Sequence, residues 1–191
     1  MNARRWTAGL LATVAAVALT ACSSSSREEA CGTNSDGVIE CTPDQRSAAP
    51  KIAGELLTGG NYDVARDRGQ VVVLNFWGSW CNPCRAEADD LENTYQATRG
   101  SGVTFVGINI QDQRDKAKAF EEGRVTYPSL FDPPSRLALA LDIPPNTIPA
   151  TVVLDRQGRI AAVIRAAVKQ EGLQPIVERV AAESPAPTGQ R

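Results

Sequence analysis

Two cysteines two residues apart, in Trp80-Cys81-Asn82-Pro83-Cys84, form the part of this 191-residue chain best suited to chemistry. Sulfurs at that spacing are close enough to bond, and a pair that opens and closes exchanges two electrons with other thiols. The nearly continuous apolar run Val71 to Phe76 precedes the pair, and a helix-prone stretch from Pro83 to Thr98 follows it. Cys81 is thereby expected at a helix N-terminus, where free backbone N–H groups and the helix dipole stabilise a thiolate. This assigns Cys81, at the exposed first turn, as attacking sulfur and Cys84, one turn in, as resolving sulfur. Pro83 presets the first turn through its fixed φ.

Other uses of the pair fit less well. Zinc would need two further ligands, but the chain has no histidine and no second CxxC. The lack of histidine also excludes Ser–His and Cys–His nucleophile pairs and CxxCH haem attachment. A peroxidatic cysteine would want Pro and Thr or Ser upstream, where Leu74 and Gly78 stand instead. With a net charge of −2, nucleic acid is not an expected partner.

The elements that must hold the cysteines alternate in type. Residues from Ile52 to Val64, around Gly59-Gly60, suggest a hairpin. The run Val71 to Phe76 reads as a strand buried on both faces, followed by the helix that carries the pair and a second buried strand, Val103 to Ile110. A polar helix from Arg114 to Glu122 and a proline-punctuated passage with a helical turn at Leu137 to Leu141 come next. Strands at Thr151 to Leu154 and Arg159 to Ile164, joined by Asp155-Arg156-Gln157-Gly158, precede a last helix from Gln170 to Ala182. This order predicts an α/β domain with a mixed sheet and helices on both faces. The domain is expected over residues 51–183, with a flexible tail at 184–191.

The first residues read as targeting. Arg4-Arg5, the apolar run Thr7 to Leu19 and Leu19-Thr20-Ala21-Cys22 resemble a bacterial lipoprotein signal over residues 1–21, with Cys22 as the acylated residue. Residues 22–50 lack periodicity and read as a tether to a membrane. The tether contains Cys31 and Cys41, whose default in an oxidising compartment is a structural disulfide, with exchange against the catalytic pair as the alternative.

The run VVVLNFWGSWCNPCRAE, Val71 to Glu87, resembles the TlpA/ResA-type thiol–disulfide oxidoreductases of the thioredoxin superfamily. VGINI, YPSLFD and TIPATVVLDRQGRI follow in matching order, so the likeness spans about residues 50 to 182. It implies a thioredoxin-like fold, tethered to the membrane and facing outward, with no cofactor. It also implies protein dithiol or disulfide substrates, apocytochrome c among them, and a transmembrane dithiol donor. A monomer is expected. Glu87 matches an acidic residue of that family near the pair, either a proton acceptor for Cys84 or a solvated carboxylate favoured by the helix dipole. Asn75 stands where cytoplasmic thioredoxins carry a buried aspartate and cannot transfer a proton. Pro149 matches a cis-proline facing the cysteines, with Ile148 presenting backbone to an extended substrate and Trp80 at the rim. Reductase is the leading reading. A disulfide-forming oxidase and a non-catalytic thioredoxin-fold binding module are the alternatives.

Overall fold

A computed structural model describes residues 31–183. The signal segment, Cys22 and the tail at 184–191 lie outside the described residues. Nine strands and four α-helices follow in chain order among those described: β1 (Gly32–Thr33), β2 (Ile39–Glu40), β3 (Ala53–Glu55), β4 (Asn61–Asp63), β5 (Val71–Trp77), α1 (Asn82–Thr98), β6 (Val103–Ile110), α2 (Arg114–Glu121), β7 (Ser129–Asp132), α3 (Arg136–Ala140), β8 (Ala150–Leu154), β9 (Ile160–Ile164) and α4 (Gln170–Ala182). Seven strands form one mixed sheet in the order β1-β2-β9-β8-β5-β6-β7, and β3 and β4 form a separate hairpin. β5, β6 and β7 run parallel, while β8 is antiparallel to both β5 and β9.

Alternation along β5 sorts the core into two layers. Val71 and Val73 face Leu91 of α1 and Leu173, Ile176, Val177 and Val180 of α4. Val72, Leu74 and Phe76 face the other way, against Ala138 of α3 and Ile52 and Val64 beside the hairpin. Every residue of β5 is buried, as a central strand covered by helices on both faces requires. The buried residues of α4 recur at the three- and four-residue spacing of one helical stripe.

The structure departs from the sequence reading in two places. Residues 31–50 are not a bare linker. Cys31 and Cys41 are disulfide-bonded, and the hairpin they close adds β1 and β2 to the sheet by pairing β2 with β9. Order here comes from long-range backbone pairing and from Arg46, which leaves no apolar periodicity to read. The Arg46 guanidinium is buried and bonds both carboxylate oxygens of Glu183, at 2.5 and 2.7 Å, and also Asp155 at 3.3 Å. The second departure is β7, a strand inside the proline-punctuated passage. Its four residues are too few for a pattern, and it is held by parallel pairing with β6 and by Leu57 N–H donating to the Ser129 carbonyl.

Candidate active site

The end of β5, the following loop and the first turn of α1 build the site. Cys81 is the N-cap of α1, and its sulfur accepts from the Cys84 N–H at 3.2 Å. A sulfur thus fills the capping role that a hydroxyl or carboxylate usually plays. Cys81 and Cys84 are disulfide-bonded, with Cα atoms 5.3 Å apart. Pro83 takes the second helical position, where an N–H has no intrahelical acceptor. The expectation of an exposed Cys81 is corrected: it is 4% exposed and Cys84 2%, because Trp77, Leu57 and Ala117 pack into the same cluster. Location distinguishes the two sulfurs better than exposure does. Cys81 Sγ lies 3.8 Å from the Ile148 carbonyl oxygen, and the Ile148–Pro149 peptide is cis. Trp80 is half exposed beside the pair. Its indole lies over Gly78, where an added Cβ would come within 2.6 Å of Trp80 Nε1, so this turn has no room for a side chain.

Beneath α1, Glu87 is buried, and it is not the solvated carboxylate that its first-turn position allowed. One oxygen accepts from Asn75 Nδ2 and the other from the Val168 N–H, both at 2.8 Å. Burial raises its pKa to about 7; the two hydrogen bonds oppose that rise and Asp90 adds to it. Asn75 also reaches Thr151 Oγ1 at 3.3 Å. Sheet register explains these meetings: Thr151, Asn75, Gly107 and Ser129 are consecutive partners across β8, β5, β6 and β7, hence one row on one face.

Three participants had no signal in the sequence. Asp112 accepts from the Ser79 N–H at 2.6 Å, the Ser79 hydroxyl at 2.8 Å, Asn109 Nδ2 at 3.0 Å and the Gln113 N–H at 2.8 Å. It thereby pins the loop between β5 and α1. Burial pushes its pKa up, but the bonds from Asn109, Ser79 and Gln113 outweigh this and hold it below the usual value. At the far end of the cross-sheet row, Ser129 joins Trp77 to Glu121. Only register brings these residues together, because their separations in sequence follow no local period.

A mixed sheet with a disulfide-capped helix leaving its central strand defines a thioredoxin-like thiol–disulfide protein. Comparison with known proteins agrees, and the chain belongs to the AhpC/TSA family, whose model matches residues 46–163. It is 27% identical to the thiol–disulfide oxidoreductase ResA of Geobacillus kaustophilus over 135 residues, 70% of this chain and 76% of that one. It is 33% identical to the thiol:disulfide interchange protein DsbE of Vibrio cholerae over 132 residues, 66% of this chain and 68% of that one. Among solved structures, a secreted thiol–disulfide isomerase from Corynebacterium glutamicum superimposes with a TM-score of 0.74 at 36% identity, covering 78% of this chain and 96% of that one. The protein is therefore a thiol–disulfide oxidoreductase of the ResA/DsbE type.

Proposed function

We propose that this protein is an extracytoplasmic protein-disulfide reductase, held to the membrane through a lipid on Cys22. Its proposed substrates are disulfides of exported proteins, apocytochrome c among them, and a transmembrane dithiol donor recharges the pair. In the reaction, the Cys81 thiolate attacks a substrate disulfide, forming a mixed disulfide and expelling one substrate thiolate. Cys84 then loses its proton to Glu87 and attacks Cys81 Sγ. The Cys81–Cys84 bond forms, the second substrate thiolate leaves, and two electrons have passed to the substrate. The proton held by Glu87 returns to solvent or to the departing thiolate.

The burial of Glu87 one helical turn beyond Cys84 carries the direction of this reading. Side chains at that spacing on a helix are neighbours. A carboxylate there, once ionised, disfavours a second negative charge on the thiols and so destabilises the reduced thiolate form. A strong oxidant needs the opposite, a stabilised reduced form. The cis Ile148–Pro149 segment and the exposed Trp80 ring suit an extended peptide lying across the disulfide.

The deciding measurement is the equilibrium of the Cys81/Cys84 pair with glutathione. A potential near that of thioredoxin, about −270 mV, is expected, whereas one near that of DsbA, about −120 mV, makes the protein an oxidase. The anchor is tested separately. Cys22→Ala should leave the membrane fraction or accumulate unprocessed; normal processing with unchanged membrane association would refute lipidation.

A further inference from the structure

Beside the fully buried Glu87 stands a second, partly buried acid. Glu121, the last residue of α2, lines a cleft with Lys118, Tyr127 and Ser129 and accepts a hydrogen bond from the Ser129 hydroxyl. The same Ser129 oxygen accepts from the Trp77 indole Nε1–H at 3.3 Å. Trp77 belongs to the buried cluster that contains Cys81 and Cys84, and its ring stacks at a tilt on Phe120, 5.5 Å between centroids. The contact has been given room. A Cβ on Gly107 would collide with Ser129 Oγ and come within 2.9 Å of Trp77 Nε1, so only glycine at this register position leaves the serine–indole bond intact.

We propose that Glu121 is a positioning residue for the redox pair, acting through Ser129 on the Trp77 indole so that its ionisation tunes how Trp77 packs beside Cys81–Cys84. This rests on reading Cys81 and Cys84 as the reacting pair. The chemistry of the link is directional. An ionised Glu121 only accepts, so the Ser129 hydroxyl donates a hydrogen bond to the carboxylate and leaves a lone pair for the indole N–H. A protonated Glu121 donates its own O–H to Ser129, which turns the serine hydrogen away from the carboxyl and reorients the lone pair that faces the indole. Burial brings this exchange to neutral pH by raising the pKa of Glu121 to about 7, against the Ser129 hydrogen bond that lowers it. The charged and titratable groups that line the same cleft as Glu121 are Lys118 of α2, Glu122 just past its end and Tyr127 before β7. The Tyr127 pKa is pushed above the normal range, first by burial and then by Glu121, Glu87 and Glu92. Tyr127 is therefore neutral where Glu121 titrates. Arg124, also nearby in sequence, sits over the Phe120 ring and pairs with Asp89.

The test follows the indole N–H signals of the full-length, oxidised, nitrogen-15-labelled protein in detergent by NMR from acid to alkaline pH. Trp77→Phe and Trp80→Phe serve to assign the signals. The Trp77 signal should titrate near neutrality in the wild type and in Glu87→Gln, and lose that titration in Glu121→Gln and in Ser129→Ala. A flat wild-type signal, a titration that survives Glu121→Gln, or one abolished by Glu87→Gln would each overturn the assignment. The second readout is the potential of the pair against pH, which should lose one inflection in Glu121→Gln. An unchanged potential profile would overturn the coupling even if Trp77 titrates. Because the indole titration needs no turnover, it stands or falls independently of the redox reading.

Discussion

A carboxyl group one turn from Cys84 can act as a base only if it holds a proton loosely at the pH of the reaction. Glu87 meets this condition through its position: it is almost fully buried, satisfied by Asn75 and the Val168 N–H, and its pKa stands at about 7. Glu87→Gln preserves the hydrogen-bond geometry with Asn75 in reverse amide orientation but removes the charge. Thiolates should then form at lower pH, because a neighbouring negative charge is gone, while the resolving step slows for want of a base by about 10²-fold or more. Thiolate absorbance against pH and stopped-flow disulfide exchange measure the two effects. Coincident curves and equal rates would leave Glu87 with a purely structural part. The roles of the sulfurs separate in a trapping experiment. Cys84→Ser should accumulate mixed disulfides between Cys81 and substrate proteins, and Cys81→Ser should accumulate few. The reverse pattern would make Cys84 the attacking sulfur.

At the scale of elements, the helix and strand that carry the cysteines were legible from sequence because each declares itself locally. β5 is an apolar run broken only by Asn75, and α1 opens on a capping cysteine and a proline. α4 repeats its apolar residues at helical spacing. β1, β2 and β7 declare nothing, being two to four residues long; β2 and β7 are ordered by partners distant in sequence, and β1 by pairing with β2 inside the disulfide loop. The same division holds within the site. The cysteines could be read from their spacing, and Glu87, Asn75 and Pro149 from resemblance. Asp112, Ser129 and Glu121 depend on strand register and loop path, which no local pattern encodes. The N-terminal hairpin gives this a measurable form. Arg46 joins it to Asp155 after β8 and to Glu183 after α4, with its guanidinium buried. Arg46→Ala should cost about 2–3 kcal/mol in denaturant unfolding, because Glu183 and the Cys41 carbonyl lose a charged donor. Asp155 keeps Arg159 at 2.8 Å, which limits the loss. A change below about 0.5 kcal/mol, the range of ordinary surface substitutions, would show that the hairpin docks without it.

For the whole molecule, the acids set opposing demands on pH. Glu87 and Glu121 bind protons more tightly when folded, at about 7 against an ordinary value of 4.5. Between those two values the folded state holds more protons than the unfolded one, so stability falls as pH rises and levels off above the folded value. Asp112 acts in the other direction: its depressed pKa contributes stability above the ordinary 3.8, lost as pH falls through the folded value. The oxidised protein should therefore be most stable near pH 4.5, between these windows, and weaker at pH 8. At about 1.4 kcal/mol per pKa unit, Glu87 alone accounts for at most about 3–4 kcal/mol of the decline, a large share of the 5–15 kcal/mol of stability typical of a domain, by order of magnitude. Urea unfolding followed across pH checks this. The wild-type midpoint should drop between pH 5 and pH 8, by less in Glu87→Gln or Glu121→Gln, and least in the double variant. A wild-type midpoint that is constant or rises over that range would mean that neither acid is held protonated by its burial. The proton exchange proposed for the resolving step and for Trp77 would then both lose their physical basis.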